Sequence, residues 1–247
     1  MNACLRFGPL ALVLAASAAS VAHATPTVFF GENQTPSNTV TGAPATARTS
    51  FLSYLASGVT SQGFESFTLN DLGPLTLTFV GSASPITATL SGDGQVTNNV
   101  SAGRFNTTPA GSKWWDVSGD FTIDFSSPIS AFGFYGTDVG DFNGQITIDL
   151  IDTLNRVTHS VLNNSINGKN GALLFYGFID GTNSYKQITF GNTAAGTDFF
   201  GFDDMVIGNL AQVLPPTGGS TPEPTSLALT GLALAAAGFA AGRKRRA

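Results

Sequence analysis

An all-β fold, a two-sheet antiparallel β-sandwich, is what three observations on this 247-residue chain predict. Short runs alternate apolar with polar residues: Leu75-Thr76-Leu77-Thr78-Phe79, Phe121-Thr122-Ile123-Asp124-Phe125, Ile146-Thr147-Ile148-Asp149-Leu150 and Lys186-Gln187-Ile188-Thr189-Phe190. Such period-two patterning buries one face of a strand and wets the other. Turn-forming clusters punctuate the runs at Gly92-Asp93-Gly94, Ser127-Pro128, Asp141 to Gly144 and Asn167 to Gly171. Composition agrees, with 20 Phe, 29 Gly and only 11% charged residues. The spacing gives about ten or eleven strands, and a jelly-roll-like path is the expectation within the sandwich class.

The elements follow in chain order. Residues 1–24 read as a signal peptide: Arg6 supplies the positive start, Pro9 to Val21 the apolar stretch, and Ala22-His23-Ala24 the small-x-small cleavage site. Signal peptidase and the general secretion machinery are the partners this implies, with Thr25 as the mature start. The single cysteine, Cys4, leaves with that segment, so the mature domain has neither a disulfide nor a thiolate metal site. Residues 25–210 form one domain of roughly 185 residues, enough for a substantial core. One interior helix is expected from Ala45 to Leu55, with Phe51, Leu52 and Leu55 on one stripe and Thr46 or Thr49 near its start. Gly58 would stop it, and it would cap an open end of the sandwich. From residue 211 to 221, Pro215-Pro216 and Gly218-Gly219 mark a flexible linker.

The last segment, residues 222–247, has three parts. Pro222-Glu223-Pro224 keeps the backbone extended. The apolar run from Leu227 to Gly242 would make a transmembrane helix of about 25 Å at 1.5 Å per residue, marginal for a hydrocarbon core of about 30 Å. Arg243, Lys244, Arg245 and Arg246 would hold the terminus on the cytoplasmic side. A plain single-span anchor uses the same physics. The combination resembles the PEP-CTERM sorting signal of exopolysaccharide-producing Gram-negative bacteria. That resemblance implies processing by an exosortase near the Pro-Glu-Pro motif. It also implies a transient inner-membrane anchor followed by the outer surface or extracellular matrix.

The body resembles a recurrent ectodomain type of PEP-CTERM proteins. The residues carrying this are Phe29-Phe30-Gly31-Glu32, Phe64-Glu65, Ala131-Phe132-Gly133-Phe134-Tyr135-Gly136-Thr137-Asp138 with Gly140-Asp141-Phe142, and Gly201-Phe202-Asp203-Asp204-Met205. The likeness implies a β-sandwich and leaves its biochemical role open.

Of the 11 basic residues, Arg6 and the four at the C-terminus belong to the targeting segments, which leaves six against 16 acidic ones, ten more negative than positive. Nucleic acid and anionic lipid are poor partners for such a surface, since both require clustered Lys/Arg. Divalent cations and neutral polysaccharide remain compatible.

Few residues carry chemistry. Glu65 with Asp203 or Asp204 resembles the structural calcium sites of jelly-roll carbohydrate-binding modules. Calcium takes hard oxygen ligands, and the two carboxylates would meet if first and last strands are neighbours. Successive residues of a strand face opposite ways, so only one aspartate would be a ligand. The plainer reading makes one aspartate a turn cap and leaves the other solvated. Asp138-x-x-Asp141-x-Asn143-Gly144 fails the EF-hand register and reads as an ordinary loop. Trp114-Trp115 would place one ring in the core and the other outside, where it would suit a sugar ring or a protein interface; ordinary burial is the alternative. The Phe132-Gly133-Phe134 and Phe200-Gly201-Phe202 echo suggests adjacent strands with closely approaching backbones.

Catalytic signatures are absent from the sequence. His159 stands alone in an alternating run, and there is no nucleophile elbow, phosphate-binding loop or His-Glu-x-x-His. The expectation is a non-enzymatic, exosortase-processed envelope or matrix protein associated with exopolysaccharide or biofilm. A calcium-stabilised carbohydrate-binding module is the alternative. A polysaccharide hydrolase, which needs only two suitably spaced carboxylates, is a lesser one.

Overall fold

The computed structural model describes residues 25–36, 38–139, 143–194 and 199–215. Ala22, Ala24, Asp141, Pro222-Glu223-Pro224, the apolar tail segment and the Arg243–Arg246 cluster lie outside them. No helix among the described residues is long and apolar enough to cross a membrane.

The alternating runs become strands of one curled, 11-stranded antiparallel sheet that folds over on itself as a sandwich. In chain order they are β1 (Thr27–Asn33), β2 (Ser61–Gln62), β3 (Leu75–Phe79), β4 (Ile86–Thr97), β5 (Trp114–Ile129) and β6 (Ala131–Thr137), then β7 (Ile146–Asp152), β8 (Val157–Val161), β9 (Leu173–Ile179), β10 (Tyr185–Asn192) and β11 (Phe199–Gly208). Strand β5 is the spine. Its first part pairs with β11, Trp115 opposite Phe202, and its second part pairs with β10, Ile123 opposite Ile188. Strand β4 follows β5 along its other side through both parts. The handover coincides with a register shift between Gly92 and Gly94, where a Cβ on Gly92 would sit 2.6 Å from that of Phe121. One leaf is therefore β1-β9-β6-β11-β5-β4 and the other β3-β4-β5-β10-β7-β8.

Alternation then fills the space between the leaves. Phe132, Phe134, Tyr176, Phe178 and Phe202 from one leaf meet Phe121, Ile123, Ile148, Ile188 and Phe190 from the other. Phe134 stacks on Phe202 at 4.8 Å, and Phe121 on Phe190 at 4.2 Å.

A second apolar cluster lies on the outer face of the first leaf, under the helix α1 (Ala43–Leu52). The helix packs across β1, β9 and β6, on the face of the sandwich and not at its open end. It starts at Gly42 with no side-chain cap: Thr46 and Thr49 hydroxyls donate back to the carbonyls of Gly42 and Ala45. It ends at Leu52, well before Gly58. Fully buried Phe51 fits a notch made by the cross-strand pair Gly133–Gly177. A Cβ on Gly177 would stand 3.0 Å from Phe51 and 3.1 Å from Phe175. Gly177→Ala should therefore destabilise the fold by about 1–3 kcal/mol through overpacking. Urea unfolding of the two proteins measures this, and equal midpoints would remove the notch from the account.

The two Phe-Gly-Phe segments do lie on neighbouring strands, β6 and β11, though offset, Gly201 facing Thr137 and Val206 facing Gly133. First and last strands are not neighbours. β1 is an edge beside β9, and the short β2 is what lies beside β11. The sandwich also extends past residue 210. Gln212 is buried, Val213 bridges to Leu55, and the Leu214 amide donates to Tyr54 O, so the first residues of the expected linker are packed.

Candidate functional site

Asp203 and Asp204 sit in a β-bulge of β11, with Asp204 in the left-handed region at φ 49°. Phe202 and Met205 on either side both point into the main core. The extra residue of the bulge puts both carboxylates on the outer face together, where strict alternation had predicted opposite faces. Both are buried, 0% and 2% exposed.

Donors engage the Asp203 carboxylate through both oxygens, whereas Asp204 Oδ1 is buried without a hydrogen-bond partner among the described residues. Asp203 Oδ2 accepts from the amides of Thr107 (2.7 Å) and Thr108 (3.0 Å) and the Thr107 hydroxyl (3.0 Å), and Oδ1 accepts from the Thr108 hydroxyl at 3.1 Å. Asp204 pairs with Arg48 of α1 at 2.9 Å. Glu65 Oε1 accepts from the amides of Ser112 (2.8 Å) and Lys113 (2.7 Å). Asp203 and Glu65 thus hold down the segment 98–113 between β4 and β5, which runs as a strap over the outer face, while Asp204 ties β11 to α1. Of the three expected calcium ligands, Glu65 and Asp203 accept hydrogen bonds from the strap and Asp204 pairs with Arg48. Calcium needs oxygen lone pairs turned towards a common point, and here N–H and O–H groups and a guanidinium occupy that role. Among the described residues no three acidic, His or Cys side chains are grouped to hold a metal.

Arg104 fastens the strap a second time, its Nε 2.6 Å from Asp116 Oδ1 and its Nη1 3.3 Å from Asp138 Oδ2. Asp138, in the left-handed conformation at φ 65°, also accepts from the Gly171 amide at 2.8 Å, the work of a turn residue. Burial governs the acidity of these groups. It pushes Asp203 up to about 6 against the opposing amide hydrogen bonds, and it raises Asp116 and Asp204 despite Arg104 and Arg48.

Trp114 and Trp115 are 1% and 0% exposed. Strand β5 is covered on both faces: Trp115 joins Phe64, Phe121 and Phe202 in the core, and Trp114 lies beside Gly201 at the outer face. Neither ring is the surface platform for sugar that one of them was expected to provide.

The open polar surface is elsewhere, on the outer face of the second leaf. The side chains left outside by alternation line up across strands. One row runs Thr76, Thr89, Asp124, Gln187; the next runs Ser91, Thr122, Thr189, Asp149, His159. Thr78, Thr87 and Ser126 extend the surface on one side, and Thr147 with Asp120 on the other. Hydrogen bonds tie neighbours together: Thr76 with Thr89 at 3.1 Å, Gln187 Nε2 to Asp124 Oδ1 at 2.6 Å, and His159 Nδ1 with Asp149 Oδ1 at 2.6 Å. Of the six basic residues from Arg48 to Lys186 none stands in these rows, though Lys186, the extra residue of the β10 bulge, lies beside Gln187. The face is thus a broad array of hydroxyls with an amide, three carboxylates and an imidazole. Its chemistry is hydrogen bonding, and it holds no nucleophile paired with a base. Sequence reading used these threonines only as the wet half of an alternation. The signal available was that nearly every outward position of five runs, those of β3, β4, β5, β7 and β10, is Thr, Ser, Asp or Gln.

No family model matches the chain, and no curated protein matches it. Among solved structures, the enzymatically active domain of tailspike protein 4 of bacteriophage CBA120 aligns at 13% identity and TM-score 0.32, over 50% of this chain and 19% of that one. TmCBM61, solved in complex with beta-1,4-galactotriose, aligns at 14% identity and TM-score 0.29, over 62% of this chain and 96% of that one. The chain thus spans 19% of the first chain's length. At such TM-scores neither likeness bears on the site.

Proposed function

We propose that this chain is a non-catalytic, polysaccharide-binding β-sandwich, exported and sorted to the bacterial envelope or matrix by its PEP-CTERM-like tail. The observation that carries the binding reading is the hydroxyl array on the open face of the second leaf. An extended sugar polymer offers many hydroxyls over a long, flat surface, and rows of Thr, Ser, Gln and Asp answer them as donors and acceptors. Threonine is stiff at χ1, so a contact to it costs little side-chain entropy. The absence of Lys and Arg from the rows favours a neutral polymer over an anionic one. Without an aromatic platform each contact is weak, and affinity comes from many contacts along one chain.

A glycan array probed with the sandwich, residues 25–215, tests this. Binding to neutral polymeric glycans is expected, and binding to none of them would sink the reading. The sorting half has its own test. Ala22-His23-Ala24 and Pro222-Glu223-Pro224 should both be cleavage regions in cells with an active exosortase. Full-length protein persisting uncleaved in the inner membrane would contradict it.

A further inference from the structure

We propose that β8 is a homodimerisation edge, pairing antiparallel with β8 of a second copy about a two-fold axis through His159. The inference does not depend on what the polar face binds.

Strand β8 closes the second leaf and, among the described residues, pairs with β7 alone. The direction of its free backbone groups follows from the ladder. Leu162 N donates to Ile146 O at 2.8 Å, and Asp152 N donates to Arg156 O at 3.0 Å, one bonded pair at each end of the β7–β8 register. Bonded and non-bonded pairs alternate in an antiparallel ladder. Thr158 and Ser160 therefore direct their N–H and C=O groups to β7, while Val157, His159 and Val161 turn theirs outward.

The sequence of the strand is nearly a palindrome, Val157-Thr158-His159-Ser160-Val161. Antiparallel pairing centred on His159 sets Val157 opposite the partner's Val161, Thr158 opposite the partner's Ser160, and His159 opposite the partner's His159. The three outward-facing residues of one copy then meet the three of the other. All three pairs are of the bonded type, exchanging about six hydrogen bonds. A centre half a residue away would pair outward with inward positions and break this parity, while a centre one residue away, at Thr158, keeps it but sets Val161 opposite Asn155, beyond the strand.

Side chains agree with the backbone. Val157 and Val161 are 58% and 48% exposed on the same face as His159, and each would gain an apolar cross-strand partner. His159 leans onto Asp149 of its own chain, clear of the axis. The strand carries no Lys, Pro or bulge, the usual protections of an edge. The other edge of this leaf, β3, already buries Leu75, Leu77 and Phe79 and has no apolar side chain to offer. A two-fold contact of this kind is isologous and closes on itself. It would join the two polar faces into one continuous surface.

Sedimentation and cross-linking of residues 25–215, which hold all eleven strands and both core clusters, test the proposal. The wild-type domain should dimerise with rising concentration, and the double variant Val157→Lys with Val161→Lys should remain monomeric, with the melting temperature the wild type shows at dilutions where it is monomeric. His159→Cys, the sole cysteine of that domain, should form a disulfide dimer on mild oxidation, because bonded cross-strand Cα atoms stand about 5.5 Å apart. Val157→Cys should not, since its own symmetry mate would be about 15 Å away, four residues along at 3.4 Å each and one strand across. A wild type that stays monomeric, a double variant that still dimerises, or cross-linking of Val157→Cys as fast as His159→Cys would each overturn it.

Discussion

Asp203→Ala should destabilise the domain by about 3–4 kcal/mol, because two amides and two hydroxyls of the strap lose one shared acceptor in a buried site. Thr107 is itself buried, so water does not replace the lost partner cheaply. Asp203→Asn keeps one acceptor oxygen and should cost roughly half as much. The same residue also gives a pH signature. Its carboxyl rises from an ordinary 3.8 to about 6 in the folded protein, chiefly through desolvation. The folded state then holds the proton more tightly than the unfolded chain. This contribution to stability is complete below 3.8 and lost as the pH climbs through 6. Asp152 and Asp180 act in the opposite sense. Backbone and side-chain hydrogen bonds lower both below 3.8, against the cost of burial, so their contribution is present at neutral pH and lost in acid. Urea unfolding across this range should show a contribution that falls from pH 4 to 6 and that Asp203→Asn lessens, Asp116 and Asp204 acting in the same sense. An identical slope in both proteins would contradict the assignment.

Phe202→Ala should cost about 3–5 kcal/mol and broaden the unfolding transition. Its ring touches five others, those of Phe64, Trp115, Phe121, Phe134 and Phe190, from both leaves. Removing it opens a cavity where the leaves meet, and surrounding rings fixed by their strands relax only partly. Phe199→Ala, on the same strand but 43% exposed, should change stability far less. Comparable losses for the two would mean that the sandwich does not depend on this aromatic junction.

Much of the fold was legible because alternation is a local signal. Leu75 to Phe79 and Ile146 to Leu150 read as half-buried strands and are half-buried strands. Long-range pairing was not legible. Nothing local says that β5 changes partners midway, or that β1 lies at an edge. Asp203-Asp204 shows the limit most clearly. A single bulge overturned the alternation rule and turned both aspartates to one side, Asp203 towards Thr107 and Thr108 and Asp204 towards Arg48, all distant in the chain. Trp114 and Trp115 misled for a related reason, since alternation predicts exposure only where one face of a strand is open. The polar rows were present in every strand sequence. They acquired meaning only when registers such as Asp149 opposite His159 and Thr189 opposite Thr122 aligned them.

The most direct measurement of the central claim is the affinity of the domain for neutral polysaccharide after the middle of the array is blocked. Thr122→Arg with Thr189→Arg fills the central row with long charged side chains and leaves the core untouched. Ser50→Arg, on the exposed side of α1, is the matched control. Affinity electrophoresis in the polymer that binds best should show the double variant weakened at least about tenfold, a loss of about 1.4 kcal/mol, with the control unchanged. Undiminished binding by the double variant, or equal loss in the control, would contradict a binding face on the second leaf.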